Sequence, residues 1–475
     1  TEFATDGPLH TVLIRPILGS TNFLTAGDPG TANTLIDFNG TDRLTIDGRA
    51  NSSGTIQWIF RNTRASSTYG PAFRFINGAS NNTLTYLNVE SQAALATTGT
   101  MTFSASAILL GGNSNNTISN CNIRENTANS AVPANGVYSL GTVGALNSGN
   151  QILNNNFSNF YLGTSSGSNG ILISTNNTDW NIDGNSFFQT TSRLNNAAFT
   201  NTAINIINTG INYKVKNNFI GGTSASCGGT AYTFTGTGAG TFNGIYFNPN
   251  TAATGCEIEN NTITNINWNR STSTSAVNFI GIRNVNGNTL IKGNTIGSTT
   301  VNDAIVINEN FVGTSTSNGI YHDAGTTTIE DNFIGGINAA APLNTISHSL
   351  YGIFISGGSS TIQNNVIGST SVSNSLNCSI ASTHATGQFL TGIQITSTAT
   401  PINILNNTLA GFTNVSGSAG ASAILRGIAT SSSGTGIVNS VGNTIFNLKN
   451  NSSLTGTGAT ANTVGILHLR TAAGQ

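Results

Sequence analysis

The residues best suited to chemistry are Arg283, Asp303, Glu309, His322 and Asp323, gathered within a short stretch of a chain that carries few charges. Paired carboxylates at a fixed separation would serve hydrolysis of a glycosidic bond. Acidic residues beside an Arg or Lys base would instead suit a polysaccharide lyase. His322-Asp323 follows the alternating run Gly319-Ile320-Tyr321, which predicts a strand end, with Arg283 one repeat earlier. The simpler reading is a solvated turn with a local hydrogen bond, and these five remain weak catalytic candidates.

Other chemistry-bearing residues also read more simply as structural. Trp58, Trp180 and Trp268 would make sugar-stacking platforms if exposed together, but one in each of three distant repeats reads as packing. Asp47 and Asp183 precede glycine and read as corner residues. Cys121, Cys227, Cys256 and Cys378 stand far apart without a CxxC pair, so no metal site is expected, and a Cys227–Cys256 bridge stays open. No GxSxG, HExxH, Walker or Rossmann pattern occurs in a supporting context. No catalytic residue, metal or cofactor is therefore assigned.

What positions these residues is a chain of unusual surface chemistry. Only 7% of its 475 residues are charged, the formal net charge is −1, and 56 are glycine. An ordinary globular chain is about one quarter charged, so amides and hydroxyls must cover this surface. Disorder combines low hydrophobicity with high net charge, whereas 37% of this chain is hydrophobic. Sixteen basic against seventeen acidic residues offer no phosphate-neutralising face, so nucleic acid is not an expected partner. No apolar run approaches the roughly 18 residues of a membrane span. Thr1 to Pro8 contain neither Met nor a signal-peptide pattern, which suggests a mature protein or an excised piece.

A six-residue pattern recurs: aliphatic, variable, Asn/Gly/Asp, Asn, variable, then aliphatic or Phe. It runs from Ile118 to Ile123, Ile152 to Phe157, Ile182 to Phe187, Val215 to Ile220, Ile258 to Ile263, Ile291 to Ile296, Ile329 to Ile334, Ile362 to Ile367 and Ile404 to Leu409. A weaker copy has Ser440 in the first apolar slot. A Gly-aliphatic pair precedes most copies, as at Gly136, Gly170, Gly244, Gly281, Gly319, Gly352, Gly392, Gly427 and Gly465. Two apolar residues five apart cannot share one side of a straight strand. The chain must bend between them, and Asn or Gly at the bend tolerates the left-handed conformation. Strand, corner, strand, with identical side chains at matched positions, predicts stacked parallel coils.

Stacking at about 4.8 Å per coil turns the motif into columns. The fourth position aligns Asn155, Asn185, Asn218, Asn261, Asn294, Asn332, Asn365, Asn407 and Asn443 as an amide ladder, with Cys121 in the rung at its N-terminal end. The second position aligns Lys216, Glu259, Lys292, Glu330 and Gln363 as an outward column of alternating charge, with Lys214 facing Glu257 beside it. The expected fold is all-β, a single-domain right-handed parallel β-helix of about a dozen coils with loops of varying length. It spans 1–475, less regular over 1–106 and regular over 107–475.

These motifs resemble the right-handed parallel β-helix superfamily. Leu44-Thr45-Ile46-Asp47-Gly48, Phe75-Ile76-Asn77-Gly78-Ala79-Ser80-Asn81-Asn82-Thr83 and Asn115-Asn116-Thr117-Ile118-Ser119-Asn120 resemble, more narrowly, Asn/Thr/Gly-rich segments of large Bacteroidota surface proteins. The resemblance implies a secreted or surface-attached extracellular protein. The leading expectation is a structural or adhesive protein without enzymatic activity. Its partners would be surface glycans or further copies of itself stacked head to tail as a fibre subunit. The alternative is a polysaccharide-degrading lyase or glycoside hydrolase, recognisable by a groove lined with carboxylates and exposed aromatics. Ice binding, which needs a flat array of Thr, ranks last because the Thr runs do not continue.

Overall fold

The computed structural model describes residues 10–19, 23–30, 33–64, 70–105, 111–126, 132–163, 167–207, 210–270, 276–309, 314–341, 346–382, 388–416, 423–430, 437–451 and 462–469. Every named element is a strand, and the parallel sheets form a β-solenoid of about eleven turns. The all-β parallel-coil architecture expected from the repeat is therefore the one observed. The chain divides into two compact units, one of residues 1–162, 166–189 and 203–218, the other of 163–165, 190–202 and 219–475.

One coil of the second unit shows how the repeat folds. The strand Thr314–His322 lies on one face, Thr326–Glu330 on the next, and Phe333–Gly335 and Ile337–Ala340 on the third. The next coil stacks in register, with Ile320 opposite Ile353, Ile329 opposite Ile362 and Ile334 opposite Ile367. All six are fully buried, each worth roughly 1.5–3 kcal/mol. The first unit repeats the scheme, with Ile118 between Leu84 and Ile152. Rings stack on rings inside it, Phe75 on Phe103 at 4.4 Å and Phe157 on Phe187 at 4.9 Å.

The third residue of the motif makes the bend. Asn120, Asn154, Gly184 and Asn217 in the first unit, and Asn260, Gly293, Asp331, Asn364, Asn406 and Gly442 in the second, have φ between 54° and 71°. That is the left-handed region in which Asn and Gly are least strained. The next residue then turns its amide inward. In the second unit the backbone N–H and Nδ2 of Asn261 both donate to Oδ1 of Asn294, and the bonding passes on through Asn332, Asn365 and Asn407 to Asn443, every bond 2.9–3.0 Å. In the first unit the same chain links Cys121, Asn155, Asn185 and Asn218. Cys121 supplies only its backbone N–H, while its thiol lies 3.2 Å from the Ser119 carbonyl.

The recurrent glycine has a different cause. A Cβ on Gly319 would stand 2.5 Å from Ile334 Cγ2 and 2.6 Å from the Gly352 carbonyl. The strand dips so close to the core and to its neighbour that a methyl group has no space. Asn332→Ala should lower the unfolding free energy by about 3 kcal/mol, because the Asn294 N–H and Nδ2 lose their acceptor inside the fold. Asn439→Ala, on an exposed row, should change it little. Chemical denaturation of the two variants is the measurement.

Candidate functional site

In the second unit, the sheet that contains Thr314–His322 carries one outer column of unlike residues. In Gly240–Asn248, Val277–Asn284, Thr314–His322 and Ser347–Ile355, register places Tyr246 opposite Arg283, Arg283 opposite Tyr321, and Tyr321 opposite Phe354. The preceding residues Ile245, Ile282, Ile320 and Ile353 are fully buried, so alternation puts this column outside. The Arg283 guanidinium lies 5.5 Å from the Tyr246 ring and 5.1 Å from the Tyr321 ring. Tyr321 and Phe354 stack at 5.1 Å, nearly parallel. Ring faces are thus taken up within the column, and edges and polar atoms face outward.

Asp323, just past the end of its strand, completes the cluster. Arg283 Nε donates to Asp323 Oδ2 at 2.9 Å, and Ser356 Oγ donates to Oδ1 at 3.4 Å. Both partners are part-exposed, Arg283 at 33% and Asp323 at 20%. Partial burial is the largest single influence and works against the Arg283 charge, but the Asp323 hydrogen bond and the charge interactions with Asp323, Tyr246 and Tyr321 together outweigh it and the pKa is raised. A guanidinium so held donates hydrogen bonds and does not serve as a base. Burial likewise pushes the Tyr321 phenol up. The arrangement is suited to holding hydroxyl groups: a charged donor and a charged acceptor side by side.

The other candidates do not join it. His322 points inside and is fully buried, with Asn284 Nδ2 3.1 Å from its Nδ1. The reading of His322-Asp323 as a solvated turn is therefore corrected for His322. The backbone carries the Asp outward and the His, its neighbour, inward. Glu309 is also sealed in the core, its Oε1 2.6 Å from His348 Nδ1, while His348 Nε2 lies 3.0 Å from Ser317 Oγ. Serine, histidine and carboxylate stand in relay order, but all three are fully buried, so no substrate reaches the serine. Asp303 is an exposed turn residue with φ 57° before the strand Ile305–Glu309. Of the five sequence candidates, only Arg283 and Asp323 meet.

Trp180 and Trp268 are buried and offer no sugar platform, and Trp58 donates from Nε1 to Thr25 Oγ1 at 2.9 Å. All four cysteines are free thiols, so the Cys227–Cys256 bridge is not formed. Burial pushes the Cys121 and Cys227 thiols up to about 12, far from a reactive thiolate. The outer column of Tyr246, Tyr321 and Phe354 was missed from the sequence, although Gly-Ile-Tyr at 244 and 319 and Gly-Ile-Phe at 352 repeat the signal. A cross-strand sandwich in the first unit was missed as well. Glu90, fully buried, lies between Arg61 at 2.5 Å and Arg124 at 2.9 Å.

No protein-family model matches this chain, and no curated protein matches it. Among solved structures the chain is similar to the A-module of mannuronan C-5 epimerase AlgE6 from Azotobacter vinelandii. The two are 12% identical over 92% of this chain and 91% of that one, with a TM-score of 0.35. A mutant of the PL6-family alginate lyase AlyGC is 9% identical over 97% and 96%, with a TM-score of 0.13. The expectation of a protein without enzymatic activity is corrected by the first of these, an enzyme built on a β-helix. Likeness at this level carries nothing about the chemistry of the present chain.

Burial depresses the His322 pKa from 6.5 to about 4. The imidazole is neutral in the fold, and the unfolded chain binds the extra proton first as pH falls. Stability from this group is complete above pH 6.5 and is lost on descending to about 4, a span of about 3 kcal/mol. Denaturation midpoints measured across that range should fall with acid, and His322→Asn should flatten the fall.

Proposed function

We propose that the protein is an extracellular β-solenoid that holds polysaccharide along the outer side of the second-unit sheet that contains Thr314–His322. The observation that carries this reading is the Arg283–Asp323 pair, set among Tyr246, Tyr321 and Ser356 on the part-exposed outer side of that sheet. A sugar diol can accept from the guanidinium and donate to the carboxylate at once. The outer column is rigid, because each member is fixed by a strand hydrogen-bonded on both sides, so little ordering cost attends binding. Native gels cast with soluble acidic and neutral polysaccharides test it. At least one chain type should retard the protein, and Arg283→Ala should weaken that retardation about tenfold, as expected for loss of charge-assisted hydrogen bonds worth about 1.5–3 kcal/mol. Equal mobility on every polysaccharide would reject the reading, and reducing ends counted in the same mixtures would reveal cleavage.

Self-association is a second reading with its own support. Among the described residues, eleven of the seventeen exposed large apolar side chains lie on residues 13–24 or 437–469. Ile17 is 76% exposed, Leu18 75%, Ile437 66% and Val441 61%. Among the described residues these coils stand first and last in the sheet order, and an apolar strand edge of this kind pairs readily with another β-coil. Sedimentation across a concentration series should then give species at multiples of 48.8 kDa. A single species at that mass throughout would count against it.

A further inference from the structure

One corner of the first unit breaks the rule that the others keep. Where successive coils place Asn120 and Asn154, the coil before them places Tyr86, with φ 53°. An aromatic residue in the left-handed region is strained, and such outliers collect where a side chain is needed for binding. Its position is fixed from behind. The Arg49 guanidinium lies 3.6 Å from the ring centroid, and Asp47 grips Arg49 through two hydrogen bonds of 2.9 and 2.8 Å.

Tyr86 lines an open groove of about 540 Å³, flanked by residues 54–56. The rest of the lining is amide: Asn88, Asn122 and Asn156 in one row, Asn120 and Asn154 in the other. Asn122 Nδ2 donates to Asn88 Oδ1 at 2.8 Å, and Asn156 Nδ2 to Asn122 Oδ1 at 2.9 Å. Each such bond uses one N–H and one lone pair, so the row retains donors and acceptors in alternation. No charged side chain lines the groove. Arg49, behind the Tyr86 ring, is already paired with Asp47, so an ionic polymer would find no free counter-charge among the lining residues, whereas a neutral hydroxylated chain finds both kinds of hydrogen-bonding partner.

We infer that this groove binds a neutral polysaccharide, with Tyr86 stacking on one sugar ring and the two asparagine rows bonding its hydroxyls. Arg49 takes one face of the Tyr86 ring, and the other is assigned to the sugar. The site is separate in residues and in charge from the Arg283–Asp323 cluster, so the two stand or fall independently.

The test uses the whole chain in native affinity gels with a soluble neutral β-glucan, a soluble galactomannan, and alginate as the anionic comparator. The decisive variant is Tyr86→Asn, which restores the residue that the next coils use at this corner. Its melting temperature should equal or exceed that of the parent, while affinity for the neutral chain drops about tenfold or more. Tyr86→Phe should keep most of the affinity, and Asn439→Ala, on an exposed row outside both sites, should leave neutral-chain binding unchanged. Three results would overturn the inference: no retardation of the parent by either neutral polymer, Tyr86→Asn binding as tightly as the parent, or a clear fall in its melting temperature, which would make Tyr86 a structural support for Arg49.

Discussion

The amide hydrogen bond between one corner and the next is the interaction on which the remaining architecture depends. At an asparagine rung a backbone N–H and a side-chain N–H share a single carbonyl oxygen on the following coil, as those of Asn294 do on Asn332. A slip of one residue would break both bonds, and would also turn every inward aliphatic outward. The corner therefore sets register for all three faces. Once register holds, like stacks on like: Ile on Ile, Phe on Phe, glycine on glycine. Columns, rather than pockets, become the units in which this protein arranges its chemistry.

Scarcity of charge makes those columns easy to follow. Glu90 is sandwiched by Arg61 and Arg124. Lys292 meets Glu330 at 2.7 Å, and Gln363 donates to the same carboxylate. Arg283 holds Asp323 across one coil step. Glu90 is fully buried, but the part-exposed pairs contribute little stability each and instead place organised polar groups on the surface. Inner polar residues follow another logic. Glu309, His348 and Ser317 bond to one another in the core, and removing one member would strand its partners at a cost of about 1–3 kcal/mol. The same residue types thus do different work according to which side of a strand they occupy.

That division explains why a β-solenoid suits extended polymers. Its outer faces repeat at one coil spacing and are held flat by parallel hydrogen bonding, while loops between strands vary without disturbing the stack. In this protein a charged column and an amide groove occupy different faces and different units, each built from side chains that a neighbouring coil already holds in place. Fold alone fixes neither ligand nor reaction. The particular residues on each column carry that information.

Much of the fold was legible in the chain because the repeat is a record of stacking. Ile, then Asn or Gly, then Asn, then Ile, recurring at matched positions, requires a bend with two inward aliphatics and a column of amides, and parallel coils follow. The Gly-aliphatic anchor was visible too, but its cause was not. Only the approach of the Gly319 strand to Ile334 and Gly352 reveals that a methyl group has no room. The sites were less legible. His322 and Asp323 are adjacent, yet one is buried and the other exposed. Glu309 pairs with His348, which is 39 residues away in sequence. Those separations depend on loop lengths between strands, which the motif does not encode. Tyr86 looked like any residue of an early coil until its φ placed it in the corner that asparagine otherwise holds. Local pattern determined the coil, since side-chain alternation and corner sterics act within a few residues. Which side chains meet was decided by the stack, since contacts between coils join residues some thirty to forty positions apart.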